Sequence, residues 1–458
     1  MTLVAPGTIL LMATASNSDA AQALTLANTT DARVTKMGRE QVRLLDFVNP
    51  TEPDHAPGFQ AALDVANLVN GTITWPDFGG IKITGNPQDK NILNLSPLPG
   101  RSEVHVNMLG HGGIFVNATG AGTTGGRTLL RSIGLRNSDW KGFYMQVQPG
   151  NQDMFLLDFD TAKGDSTHPD ASSCSHNTLE NVRAILGTGR NNTAVRLGHT
   201  AGAGGDLSNF KFEKFFVFGQ NQTEIGAAGG AEFAVDGQTA FRLQGRNTLN
   251  NTLSNCTVAY CDNAYTTLSA AAGMSAAEYG SELTAGGEAV NGAGGLAITG
   301  AMTVFSHNRL NGIYPSVQSL LLHGGRSENC LMELVVTDSN DSGVVTLDTW
   351  QFDGCEAQST NGNFNGSAFY FGRPSIVEFR NCGIRHPNML YGDHLVRMWR
   401  GGNVGSVSFL GGYVGAGDNF VSMPDGGLSV RQRVTRAGIG STNVMLGRYP
   451  DLYNNVGS

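Results

Sequence analysis

Ile376-Val377-Glu378-Phe379-Arg380-Asn381-Cys382-Gly383-Ile384-Arg385 is the stretch that decides the fold. Val377 and Phe379 alternate with Glu378 and Arg380, and beyond Asn381 the alternation resumes with Cys382 and Ile384 against Gly383 and Arg385. A period of two marks a strand with one face buried, so these are two short strands whose apolar members face inward. Between them stands one asparagine, a residue that adopts a left-handed backbone at small steric cost. A single residue in that conformation bends the chain sharply.

The same corner recurs in Leu179-Glu180-Asn181-Val182, Leu253-Ser254-Asn255-Cys256, Glu328-Asn329-Cys330 and Phe352-Asp353-Gly354-Cys355. Val182 to Cys256 is 74 residues, Cys256 to Cys330 is 74, Cys330 to Cys355 is 25 and Cys355 to Cys382 is 27. A period near 25, with each 74 read as three turns, is the signature of a solenoid. The expected fold is all-β, a right-handed parallel β-helix. Its corners should stack about 4.8 Å apart, so that aligned asparagines hydrogen-bond along the column.

Phe210-Lys211-Phe212, Phe241-Arg242-Leu243, Leu320-Leu321-Leu322, Phe369-Tyr370-Phe371 and Val407-Ser408-Phe409 continue the strand pattern, bounded by Gly, Asn or Asp. Pro57 to Val69 reads instead as a helix, with Phe59, Ala62, Leu63 and Ala66 on one face and proline near its start. A short helix there should cap the open end of the core. The chain divides into an attachment segment at 1–45, the lead-in to the β-helix with its capping helix at 46–115, the body at 116–425 and a C-terminal cap or clasp at 426–458.

Composition narrows the partners. The 458 residues carry a formal net charge of −8, only 15% are charged, and no run of Lys or Arg occurs, which disfavours nucleic acid. The six cysteines form no CxxC pair and no zinc-like spacing with histidine, so they read as small core residues. His105 with His111, or Cys174 with His176, lack further ligands at useful spacing, and neither a metal nor a cofactor is expected. Ala13-Thr14-Ala15 follows the apolar Ile9-Leu10-Leu11-Met12, but no Lys or Arg precedes Arg33, so the segment reads as a docking peg rather than a cleaved signal. It is too short to insert across a bilayer.

Phe59-Gln60-Ala61-Ala62-Leu63-Asp64, followed by Gly71-Thr72-Ile73-Thr74-Trp75-Pro76, resembles the leading motif of pectate-lyase-like β-helix proteins. Leu45 to Asp54 and Leu109-Gly110-His111-Gly112-Gly113 resemble its usual surroundings. Phage tailspikes and capsule depolymerases are similar in placing such a motif behind a short virion-binding N-terminus. The resemblance implies a side-by-side homotrimer located in the virion tail and exposed to the extracellular medium. It further implies docking to a tail or baseplate protein through the N-terminus, and a host cell-surface polysaccharide as ligand. No calcium cluster of the pectate lyase type is recognisable.

Indexing by the corners places Glu180, Ser254, Glu328, Asp353 and Arg380 at one outward rung position, with Glu328 and Asp353 on adjacent rungs. Stacked carboxylates repel, which lets one act as an acid while the other stays a nucleophile or base. Glu328 and Asp353 are therefore the candidate catalytic pair, at a spacing that suits a retaining glycosidase. His323, Arg326, Glu356, Arg380 and Arg385 are candidate sugar-binding neighbours, and Arg397 with Trp399 a candidate platform or subunit contact. The competing reading makes these solvated charges, with Asp353 paired to Arg380. Asp158, Asp160, Asp165, His168, Asp170 and His176 form a second candidate patch, expected in a loop between rungs.

Three functions remain open from sequence. One is a tailspike or tail-fibre protein that binds host polysaccharide, with or without depolymerising it. Another is a non-enzymatic structural or adhesive fibre, and the last a free extracellular polysaccharide lyase or hydrolase.

Overall fold

The computed structural model describes residues 41–77, 79–118, 127–161, 173–198, 207–219, 238–243, 250–261, 263–266, 296–306, 310–314, 319–330, 333–336, 344–354, 369–371, 376–386, 396–398, 406–416, 421–422 and 429–436. Each complete rung contributes three strands. Ser319–His323, Arg326–Cys330 and Leu334–Val336 make one; Val344–Asp348, Gln351–Gly354 and Phe369–Phe371 the next; Ile376–Arg380, Gly383–His386 and Val396–Met398 the one after. Stacking gives three columns. The first two share a 23-stranded sheet, and the third is an 11-stranded sheet from Asn91–Leu95 to Val421–Ser422. Strands of successive rungs pair in parallel, as Val377↔Val407 and Ile384↔Val414 illustrate. The fold is a right-handed parallel β-helix.

The alternation read from sequence becomes burial. Val377, Phe379, Cys382 and Ile384 are all buried, while Glu378 is half-buried and Arg380 and Arg385 are exposed. Inside, aromatic rings form a continuous stack: Trp140 to Phe159 at 5.2 Å between centroids, Phe159 to Phe210 at 5.1 Å, Phe210 to Phe212 at 5.9 Å and Phe212 to Phe241 at 5.2 Å. Stacked, tilted and edge contacts of this kind add to area burial. Trp350 is also interior, as its parity with Phe352 predicts.

The bend between first and second columns is a single residue at Asn181 (φ 53°), Asn255 (φ 53°) and Asn381 (φ 51°), as expected. Two details differ from the sequence reading. The intervening bends are Lys214 (φ 50°) and Thr349 (φ 51°), with glycines at 300 and 324, so the described corners form no asparagine ladder. Asn255 instead accepts a hydrogen bond from the Met302 amide at 3.3 Å. The 74 residues from Val182 to Cys256 also span two turns, not three, because Phe215 follows the intervening bend.

Glu328-Asn329-Cys330 is a different corner altogether. Cys330 ends the second-column strand Arg326–Cys330, where the register shifts, whereas Cys382 follows the bend after the first column. Both cysteines face inward beside an asparagine, which is why one sequence pattern covers two places. Sγ of Cys330 donates to the Phe305 carbonyl at 3.4 Å, and that of Cys382 to Leu347 at 3.1 Å. Cys174, Cys256, Cys261, Cys330 and Cys382 are all free and buried, and Cys355 lies outside the described residues.

The helix runs Ala56–Val69 and ends on Asn70 in the left-handed region (φ 52°). Its Phe59 packs edge-on against Trp75, 5.9 Å between centroids. Asp54 ties the helix start to the second column: Oδ1 accepts from the Ala56 and Thr84 amides at 3.0 and 2.9 Å, and Oδ2 from Gly85 at 3.0 Å. Arg101 closes the other end, donating to the Asn67 carbonyl at 3.1 Å and the Leu68 carbonyl at 3.2 Å. The first column already begins at Gln41–Arg43, paired with Thr72–Thr74, and extends to Ser429–Arg436 beside Ser406–Ala416. Both terminal divisions read from sequence therefore contain a strand of the sheet.

Candidate functional site

The second column places Glu328 and Asp353 directly opposite one another on adjacent rungs, as their 25-residue spacing predicts. Strand neighbours are about 4.8 Å apart. Both side chains face solvent, 39% and 52% exposed. Each has its own guanidinium: Arg326 Nε lies 3.0 Å from Glu328, and an Arg385 nitrogen 3.9 Å from Asp353. Arg326 is two residues before Glu328 on one strand, so the period of two puts both outward. Arg385 is the register partner of Asp353 on the following rung.

Arg380 belongs elsewhere. It ends a first-column strand in register with Asp348, and it hydrogen-bonds Glu378. The expected Asp353–Arg380 pair is thus replaced by Asp353–Arg385, because Arg380 precedes the bend and Asp353 lies beyond it. Glu180 and Ser254 share the first column with Arg380, so the single outward position indexed from sequence is really two columns. Arg397 sits in a third-column strand opposite Tyr370, on a different face from Glu328. Glu356 and Trp399 lie outside the described residues.

A second pair flanks the same bends. His323 Nδ1 is 3.2 Å from Asp348 Oδ2, and the two are register partners at the ends of first-column strands. Asp348 was not singled out by sequence, although its distance from His323 repeats the 25-residue spacing of Glu328 and Asp353. Farther down the column, Lys141 lies 3.1 Å from Glu180. The hydrogen bond to Glu180 holds the Lys141 ammonium above its ordinary range. In the same ladder, the hydrogen bond from Lys211 holds the Glu213 carboxyl below its ordinary range.

Asp158 and Asp160 of the second candidate patch are not in a loop. Asp158 and Asp160 lie in the third-column strand Met154–Asp160 and are 1% exposed. Asp158 takes a two-pronged contact from the buried Arg196, and Asp160 one from Arg131 at 3.1 Å. Charge removed from water must be paired in this way. His176 is an exposed left-handed residue (φ 59°), and Asp165, His168 and Asp170 lie outside the described residues. Among the described residues no group of three or more His, Cys, Asp or Glu side chains could hold a metal ion, and no helix is long and apolar enough to cross a membrane.

Three parallel columns, one-residue bends and an outward charged strip define a protein of the parallel β-helix class. Among solved structures this chain is similar to a double mutant of the tailspike protein of E. coli bacteriophage HK620 in complex with a pentasaccharide, at 13% identity and a TM-score of 0.51. That match covers 87% of this chain and 67% of the tailspike chain. A single mutant of the same tailspike, also with a pentasaccharide, matches at 12% identity and a TM-score of 0.51, covering 88% of this chain and 67% of that one. The endo-xylogalacturonan hydrolase from Aspergillus tubingensis matches at 11% identity and a TM-score of 0.43, over 89% of this chain and 97% of that one, a likeness too slight to bear on function. No protein-family model and no curated protein matches. Similarity at this identity establishes the fold, and function must be argued from the site.

Proposed function

We propose that this chain is a tailspike or tail-fibre protein that binds a host cell-surface polysaccharide along the second-column face and cuts it with Glu328 and Asp353. The observation that carries the reading is the exposed carboxylate pair on adjacent rungs, each beside an arginine. A rung step of about 4.8 Å falls near the carboxyl separation of about 5–5.5 Å used by retaining glycosidases. In that role one carboxyl protonates the leaving oxygen, while the other attacks the anomeric carbon and is released by water. Arg326 and Arg385 would orient hydroxyls or a sugar carboxylate. The wider reading includes a homotrimer, docking of the N-terminal segment to a phage tail or baseplate protein, and a virion location exposed to the medium.

A binding-only fibre is favoured by one observation, that each carboxylate is already paired on the surface, Glu328 with Arg326 at 3.0 Å and Asp353 with Arg385 at 3.9 Å, as solvated ion pairs with no catalytic role are. The test is incubation with surface polysaccharides of candidate hosts, following chain length, new reducing ends and absorbance from unsaturated sugars. Shortened products that vanish in Glu328→Gln and Asp353→Asn support the proposal. Full rate in both variants removes these residues from catalysis, and binding without shortening leaves the adhesive fibre. Unsaturated ends would mark a lyase.

A further inference from the structure

The bends beside the carboxylate pair carry a second arrangement. His323 ends the first-column strand of the Glu328 rung and Asp348 that of the Asp353 rung, each five residues before its carboxylate. Across the rungs, His323 Nδ1 stands 3.2 Å from Asp348 Oδ2. Thr349 Oγ1 approaches the same nitrogen at 3.3 Å. On the preceding rung, the half-buried Thr299 is the register partner of His323. Hydroxyl, imidazole and carboxylate therefore follow one another in a single ladder, Thr299, His323 and Asp348, on rungs about 4.8 Å apart.

Thr349 sets this corner apart. It is a β-branched residue at φ 51°, in a bend that on other rungs uses Asn181, Asn255, Asn381, Lys214 or a glycine. A branched side chain is strained in the left-handed region, and strain of this kind gathers at functional sites. Here it brings a hydroxyl to His323 Nδ1. A carboxylate only accepts, so Asp348 fixes the tautomer of the neutral ring with hydrogen on Nδ1 and leaves the lone pair on Nε2. The His323 side chain is 52% exposed and that of Asp348 28%, so the imidazole is open to a ligand while its orienting carboxylate is the more sheltered of the two.

We infer that His323 is the general base of an esterase site, with Asp348 and Thr349 as positioning residues, that removes short acyl groups such as acetyl from sugar hydroxyls. His323 Nε2 takes a proton from water as the water oxygen bonds to the ester carbonyl carbon, whose π electrons move to the carbonyl oxygen. The tetrahedral intermediate collapses, the bond from that carbon to the sugar oxygen breaks, and the imidazolium returns the proton to the leaving alkoxide. Water and ester give alcohol and carboxylic acid, and nothing else is consumed. Thr299 offers a hydroxyl on the neighbouring rung to hold the attacking water. An imidazole oriented by a carboxylate suits acyl transfer, whereas a glycosidic bond calls for the paired carboxyls found at Glu328 and Asp353.

An exposed His–Asp contact alone is an ordinary surface pair of little consequence. This one differs in its surroundings: a threonine hydroxyl stands in register on the neighbouring rung, and a second is brought to Nδ1 by a strained bend. A half-exposed imidazole at a bend is reached by a substituent that projects from a large molecule, and an acyl ester on a polysaccharide is such a group. The same two rungs carry Glu328 and Asp353 around the bend. The choice of a polysaccharide as carrier rests on the function proposed above, while the ester chemistry rests on His323 and its partners.

The test incubates the full chain with O-acetylated bacterial surface polysaccharides and with 4-methylumbelliferyl acetate, reading released acetate, released fluorophore and, in the same samples, chain length. Ester cleavage should fall about a hundredfold in His323→Ala, the lower end of what a positioned base contributes, and added imidazole should restore part of it beyond imidazole's own rate without protein. Asp348→Asn, which keeps the shape of the side chain, should lower kcat and leave KM unchanged. Thr349→Gly should raise the unfolding midpoint by relieving the bend while lowering kcat. Ester cleavage no faster than in buffer, or equal in the parent and His323→Ala, overturns the inference, as does a loss in Asp348→Asn that lies wholly in KM. Shortening of acetylated chains without acetate release also overturns it and leaves Glu328 and Asp353 standing. Acetate release without shortening supports it and removes cutting from the proposed function.

Discussion

Arg196 lays two guanidinium nitrogens on the carboxylate of Asp158, Nε to Oδ1 at 2.9 Å and a terminal nitrogen to Oδ2 at 2.7 Å, with both side chains buried. The guanidinium carbon also sits 3.7 Å from the centroid of the Phe155 ring. Removing one partner would strand a buried charge, which costs about 3–5 kcal/mol, whereas replacing both by apolar groups of similar volume is far milder. Arg196→Met and Asp158→Leu should each lower the denaturant midpoint sharply, and the double substitution should recover much of the loss. A double variant no better than the worse single one would contradict this account.

The one-residue bend makes a sharper prediction. Asn181 holds φ at 53° while its amide donates to the Glu213 carbonyl at 2.9 Å, so the conformation cannot relax without breaking the link between rungs. A side chain such as alanine in the left-handed region costs about 1–2 kcal/mol, and glycine none of that. Asn181→Ala and Asn381→Ala should therefore destabilise by roughly this amount, with the glycine variants close to the parent. Equal losses for Ala and Gly in thermal unfolding would mean that the asparagine side chain, not its backbone, carries the corner.

The same bends explain what was legible in the sequence. Val377, Phe379, Cys382 and Ile384 betray their burial because a strand with one solvated face must alternate, and Glu328 with Asp353 share a register because the local period is 25. Column identity was harder. Asn329-Cys330 and Asn381-Cys382 look alike in one dimension, yet one ends a second-column strand and the other follows a first-column bend. Lys214 and Thr349 occupy the same left-handed position as Asn381 without advertising it, so two rungs were passed over or misplaced. The pairing of Asp158 with Arg196 spans 38 residues and depends on rung stacking, which no local pattern reveals. Phe216 and Phe218 share a short run with the buried Phe215 and Val217, and only the register assigns their faces.

Burial makes the cysteines chemically quiet. Desolvation pushes the Cys256 thiol up to about 12 and the Cys382 thiol to about 11, partly offset by hydrogen bonds to backbone. Cys174 is likewise pushed well up by burial. Because the thiolate is the reactive form, these groups should not react with Ellman's reagent at pH 8 while the protein is folded. Five of the six cysteines are buried and free, so the folded chain should show no more than one reactive thiol, and the chain in guanidinium all six. Rapid reaction of two or more thiols in the folded protein would show that the rungs open locally.

Gly325 reports on how tightly the rungs beneath the carboxylate pair are packed. A Cβ there would lie 2.6 Å from two carbons of the Trp350 ring and 3.1 Å from the Thr303 side chain. The indole has little room to retreat, since it is fully buried, touches Phe305 and Phe352, and donates Nε1–H to Ser327 Oγ at 3.1 Å. Overpacking of this sort costs about 1–3 kcal/mol, so Gly325→Ala should lower the unfolding midpoint visibly. Trp350→Phe alone should also destabilise, through lost volume and a buried Ser327 hydroxyl without its donor. Together the two changes should cost less than their sum, because the smaller ring vacates the space the methyl needs. Strict additivity in the double-mutant cycle would mean that the added methyl is opposed by the Thr303 side chain and not by Trp350.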